Sequence, residues 1–213
     1  PVAQVLNETV GLEKGIMTGI LRVSKDSMLS GLNNLNVFSV LDDHYAPYFG
    51  FSDTEVAQLF HDCGLKHEVN AVRQYYNGYH IGDQRLYNPW SITHCLDESG
   101  TLTAYWVNTA DNSLLKQALL NATAEIKTQF QQLLLSPDST IHTVVNETMR
   151  FEDLNSNGAG LWTILLAMGY LTATEKTLYE TYYQCQLAIP NEEVKQLYLT
   201  FFKSWLRDTL NPQ

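Results

Sequence analysis

The sequence predicts an α-rich α/β chain in two parts. Three observations carry this: an apolar opening run ending in polar and basic residues, a series of capped amphipathic helices, and a closing helix, hairpin and helix. The opening run, residues 15–23, passes into Arg22, Ser24 and Lys25 as a buried strand does when it delivers side chains to a crevice. Residues 27–43 read as loop or short helix. Ser52-Asp53-Thr54-Glu55 is a capping box ahead of Val56, Leu59 and Phe60, so a helix is expected over residues 53–63, stopped by Gly64. A second helix over residues 66–76 leads into Asn77-Gly78, a turn signal, and residues 79–82 give a brief extended piece. Asn88-Pro89 supplies an N-cap with proline at the first helical position, which places a short helix over residues 90–96.

Farther on, Leu114, Leu115, Ala118, Leu119, Ile126, Phe130, Leu133 and Leu134 recur mostly at three- and four-residue steps, predicting one long or two shorter amphipathic helices within residues 111–135. Residues 137–140 break that pattern, and the β-branched residues 140–145 read as a strand. An apolar helix over residues 161–168 is closed by Gly169. Two β-rich runs, residues 170–174 and 179–189, are joined by Glu175-Lys176-Thr177, and Pro190-Asn191 opens a last helix. That helix puts Val194, Leu197, Tyr198, Phe201, Phe202 and Trp205 on one broad apolar side. Helix, hairpin and helix in this order read as a winged-helix-like unit. The expected division is residues 1–140 and 141–213, with the break near residues 136–158.

Composition narrows the classes of function. With 213 residues, 45% hydrophobic, and four Trp, twelve Tyr and eight Phe, the chain can bury a sizeable core and is not a disordered segment. A formal net charge of −10 opposes non-specific attraction to a phosphate backbone, so nucleic acid is disfavoured as a partner. Cys63, Cys95 and Cys185 are odd in number and lie outside any C-x-x-C pair, which suggests neither a disulfide framework nor a zinc site. A reducing, cytoplasmic setting is the simpler reading, and the sequons at Asn7, Asn121 and Asn146 are then coincidental. No apolar run approaches the ~18 residues that span a bilayer. No G-x-x-x-x-G-K-[ST] loop occurs in the 213 residues, so no nest of backbone N–H groups with its lysine is identifiable for a triphosphate. With Pro1 at its start and an amphipathic segment near its end, the chain reads as a piece of a longer protein.

Several short words occur in a fixed order. They are Thr18-Gly19-Ile20-Leu21-Arg22-Val23-Ser24-Lys25, Ser30-Gly31-Leu32-Asn33-Asn34-Leu35, Tyr75-Tyr76-Asn77-Gly78-Tyr79, Tyr87-Asn88-Pro89-Trp90-Ser91 and Tyr105-Trp106-Val107-Asn108. Gly169-Tyr170-Leu171-Thr172 and Ile189-Pro190-Asn191-Glu192-Glu193-Val194 follow. Together they resemble the AAA-ATPase-like family of bacterial proteins, over nearly the whole chain. In that family a phosphate loop and an acidic metal-binding strand come first, and a PD-(D/E)xK nuclease domain commonly follows. The resemblance therefore implies the distal part of a P-loop-type ATPase fold with a helical lid, followed by the winged-helix-like unit. It also implies ATP and Mg²⁺ as ligands of the full-length protein, with no cofactor held by this chain.

The resemblance makes Arg22, Ser24 and Lys25 the nucleotide-sensing candidates, at the tip of a strand that would lie beside the acidic one. Tyr76, Gly78, Tyr79, Asn88, Pro89 and Trp90 carry its aromatic and turn words. They read either as an aromatic floor for a base or peptide or as the packing centre of a lid. Packing is the simpler account, because Gly78 suits a turn and Asn88-Pro89 a helix start. Pro137-Asp138 and Glu193-Val194-Lys195 spell a nuclease site by accident: Glu193 and Lys195 fall two apart on an expected helix, where side chains diverge. The six histidines show no paired metal-ligand spacing, and Asp42-Asp43-His44 reads as a solvated loop. No catalytic or metal residue is assigned. The expected role is a regulatory or binding module that couples a nucleotide site to an adjacent domain or another protein. Its rivals are a fragment of an active ATPase coupled to a nuclease domain, a winged-helix nucleic-acid binder, and a degenerate ATPase fold recruited in a secreted effector.

Overall fold

A computed structural model of the chain describes residues 13–16, 18–19, 36–65, 69–106, 122–136, 138–147 and 158–210, with side chains as far as residue 203. The architecture is mixed α/β: among the described residues, six α-helices accompany two small antiparallel sheets. Helix α1 (Asp53–Asp62) starts where its capping box puts it, the Ser52 side chain accepting from the Glu55 N–H and the Glu55 carboxylate accepting from the Ser52 N–H. Helix α2 (Val69–Tyr76) buries Val72 and Tyr76, one turn apart. Asn88 caps α3 (Pro89–Asp97) by accepting from the Trp90 N–H at 2.9 Å. Thr123 caps α4 (Ala124–Leu135) in the same way, and residues 111–121 of the expected helical stretch lie outside the described residues.

The turn expected at Asn77-Gly78 is instead the start of strand β1 (Asn77–Ile81), which reverses at Gly82-Asp83 into β2 (Gln84–Tyr87). Gly78 sits at a register shift in that ladder with φ +130, and a Cβ there would stand 1.8 Å from the Pro190 carbonyl oxygen. Glycine is needed for a bulge and a close approach, not for a turn, and a dipeptide does not distinguish these needs.

The second sheet has the order β3-β5-β4, built from β3 (Ile141–Val145), β4 (Thr172–Tyr179) and β5 (Tyr182–Ala188), all antiparallel. Glu175, Lys176 and Thr177, expected to join two strands, lie inside β4 opposite Gln186, Cys185 and Gln184. The chain reverses later, at Glu180-Thr181, so the polar run is part of a strand ladder, Glu175 and Thr177 exposed and Lys176 partly covered, rather than a loop. Helix α5 (Gly158–Ala167) precedes β4 and buries six residues, including Trp162, Leu165 and Leu166. Helix α6 (Glu192–Leu210) follows β5 and buries Val194, Leu197 and Tyr198.

Two apolar clusters result. One holds Val56, Phe60, Val72, Tyr76, Tyr87, Ile92 and Cys95 from α1, α2, β2 and α3. The other joins Phe130 and Leu133 of α4 to β3, α5, β4, β5 and α6, and also takes Leu41 from the loop before α1. Of the expected opening strand, Gly15, Ile16, Thr18 and Gly19 are described: they are irregular, and Ile16 is 92% exposed. Arg22, Ser24 and Lys25 lie outside the described residues.

Candidate functional site

The words scattered through residues 75–194 meet at one place, around the start of α6. Asn191 caps that helix, its Oδ1 accepting from the Val194 N–H at 3.1 Å. Its Nδ2 donates to the Tyr76 carbonyl at 3.0 Å, which fixes the helix start to the end of α2. Two residues on, Glu193 is fully buried, at 0% exposure. Its Oε2 accepts from the Ser91 hydroxyl at 2.7 Å and its Oε1 from the Trp106 N–H at 2.8 Å. Burial raises the Glu193 pKa above its ordinary value, and the hydrogen bonds from Ser91 and from the Trp106 and Tyr105 backbone oppose that rise. One carboxyl thus ties α6 to α3 and to the chain at residues 105–106.

The aromatic residues pack around this carboxyl. Tyr76 is buried and its hydroxyl bridges Thr103, donating to the carbonyl at 2.8 Å and accepting from the N–H at 3.0 Å. The Tyr79 hydroxyl is buried beside the side-chain amides of Asn88 and Asn191 without reaching hydrogen-bond geometry with either. The Trp106 ring lies 5.2 Å from that of Tyr170, whose carbonyl accepts from the Tyr198 hydroxyl at 3.0 Å. A Cβ on Gly169 would stand 3.6 Å from the Tyr79 ring, and the Thr172 hydroxyl accepts from the His80 N–H at 2.7 Å. Pro190 covers Gly78.

A second polar centre, half-exposed, lies at the start of α1. The Asp53 Oδ1 accepts from the Tyr87 hydroxyl at 2.7 Å and from Asn77 Nδ2 at 3.1 Å, while its Oδ2 meets Arg73 Nη2 at 3.0 Å. This carboxylate at the start of α1 gathers α2, β1 and β2, and its position in the first helical turn suits a negative charge.

The structure therefore assembles Tyr76, Gly78, Tyr79, Asn88 and Pro89 as packing and capping groups. Trp90 is the exposed member, at 47%, with its ring 4.4 Å from that of His94. The nuclease spelling is not assembled: Asp138 is exposed, Pro137 lies outside the described residues, and Glu193 is engaged with Ser91 and Trp106. Asp43, read as part of a solvated loop, is exposed in a loop and also meets Lys176 at 2.7 Å. Among the described residues, no three His, Cys, Asp or Glu side chains stand close enough to hold one metal ion, and no helix is long and apolar enough to cross a membrane.

Sequence reasoning missed Glu193, Ser91 and Asp53. For Glu193 a signal was present: it stands four residues before Leu197 and beside Val194, on the apolar side of an amphipathic helix. An acid at such a position is buried with partners or it is not tolerated.

No family model matches the chain, and no solved structure matches it. It is similar to a protein of Azotobacter chroococcum mcd 1 described as an uncharacterized protein in the vnfD 5' region, with 26% identity over 180 residues, 84% of this chain. The chain spans about a third of the length of that curated relative, 32%.

Proposed function

We propose that this chain is the distal, non-catalytic portion of an AAA-ATPase-like protein, acting as a regulatory or protein-binding module between a nucleotide site and an adjacent domain or partner. One observation carries the reading: the family words between residues 75 and 194 converge on Glu193, whose carboxyl oxygens are taken up in joining elements. A catalytic carboxylate has to reach a substrate, whereas this one is sealed from solvent. The β3-β5-β4 order, with the last strand central, supports the winged-helix-like reading of the C-terminal unit. In the full-length protein, ATP and Mg²⁺ would be held by a phosphate loop and acidic strand contributed from elsewhere in the chain.

A second reading, a fragment of an active ATPase coupled to a nuclease domain, draws support from the relative's much greater length. Nucleic-acid binding by the winged-helix-like unit is disfavoured by the net charge of −10. Calorimetric titration of Mg·ATP separates the roles. This chain should give no saturable heat up to millimolar nucleotide, while the longer native protein binds; saturable micromolar binding by this chain would overturn the non-catalytic reading.

A further inference from the structure

We infer that residues 39–43 form a strap joining the chain upstream of them to both β-hairpins, with Lys176 of β4 as its latch. Local hydrogen bonds fold the strap. The Ser39 N–H donates to Asp42 Oδ2 at 2.6 Å, the Leu41 N–H to Ser39 Oγ at 3.0 Å, and the Asp42 N–H to the Ser39 carbonyl at 3.2 Å. Leu41 anchors it, 3% exposed within the C-terminal apolar cluster, with Val40 packed alongside.

Successive carbonyls of the strap then bind different hairpins. The Val40 carbonyl accepts from the Gly82 N–H at the β1–β2 turn at 3.0 Å. The Leu41 carbonyl accepts from Lys176 Nζ at 2.6 Å, and the same ammonium donates to Asp43 Oδ1 at 2.7 Å. Lys176 is only a quarter exposed, so its charge is directed into these contacts rather than into water. The β1–β2 turn comes close enough that a Cβ on Gly82 would stand 2.7 Å from both the Asp42 carbonyl oxygen and the Asp43 Cα.

The strap is pinned on two sides, at Gly82 and at Lys176. Chain movement upstream of residue 39 either breaks the Lys176 contacts or carries β4 with it. What it transmits rests on the proposed reading of Arg22, Ser24 and Lys25 as nucleotide sensors; the latch itself rests on the contacts alone.

Hydrogen exchange on the full chain tests both parts, using Lys176→Met and Asp43→Asn. The latch predicts at least tenfold faster exchange at residues 39–43 in Lys176→Met, a smaller increase in Asp43→Asn, which keeps the Leu41 carbonyl contact, and unchanged exchange at residues 191–198. Unchanged exchange at residues 39–43 in both variants overturns the latch. So does an equal increase throughout the chain, which would make Lys176 a general stability residue. In the longer protein, Mg·ATP should alter exchange at residues 172–188 in the wild type and not in Lys176→Met. A strap that loosens as expected, with no nucleotide response in the wild type, keeps the latch and overturns the sensing reading.

Discussion

Glu193 is held by one hydroxyl and by backbone N–H groups, with no cation among the contacts described for it. Donors of this kind satisfy the oxygens but do not offset the full cost of burying a charge. Its pKa is raised in the folded state for that reason, above an unperturbed value of 4.5. The sign follows from linkage. The folded state holds this proton more tightly than the unfolded chain, so the contribution is complete below pH 4.5 and is lost as pH rises through the higher folded pKa. Glu193→Gln removes the titration. The difference in unfolding free energy between wild type and Glu193→Gln should therefore move against the wild type as pH is raised from 4.5, in urea unfolding measured at several pH values. A flat difference across that range would show that burial does not raise the Glu193 pKa, the carboxyl titrating alike in the folded and unfolded chains.

At the scale of elements, β1 is shaped by what lies above it. Gly78→Ala combines an unfavourable φ with a Cβ placed 1.8 Å from the Pro190 carbonyl oxygen, so backbone must move. Strain and overpacking together should cost at least about 3 kcal/mol. Gly64, after α1, is the control: its φ is +68, but nothing lies within 4 Å of an added Cβ. Gly64→Ala should cost only about 1–2 kcal/mol, the left-handed backbone penalty alone. Thermal or urea unfolding of the two variants checks the contrast, and equal losses would remove the close approach as the reason for Gly78. The same pair shows what was legible in the sequence. Helix starts at Ser52 and Asn88 were readable because a cap and the N–H groups it satisfies lie within three residues. The register of β1 was not, because Pro190 decides it from far along the chain, and the length of β4 was not, because residues 175–177 are polar yet paired with β5 of the same hairpin.

On the scale of the whole molecule, the two apolar clusters are joined by polar contacts of long sequence separation, above all Ser91 with Glu193, 102 residues apart. The aromatic words at Tyr76 and Tyr79 were readable as packing, but the carboxyl that organises them was not, since its partners at residues 91 and 106 cannot be paired with it from sequence alone. The short words between residues 75 and 194 build a joint through Glu193. A double-mutant cycle by urea unfolding checks this, using Ser91→Ala, Glu193→Met, which removes the acceptor, and the two combined. A coupling of about 1–3 kcal/mol is expected, as for groups sharing a buried hydrogen bond. Additivity within about 0.5 kcal/mol would contradict it, because independent sites behave that way.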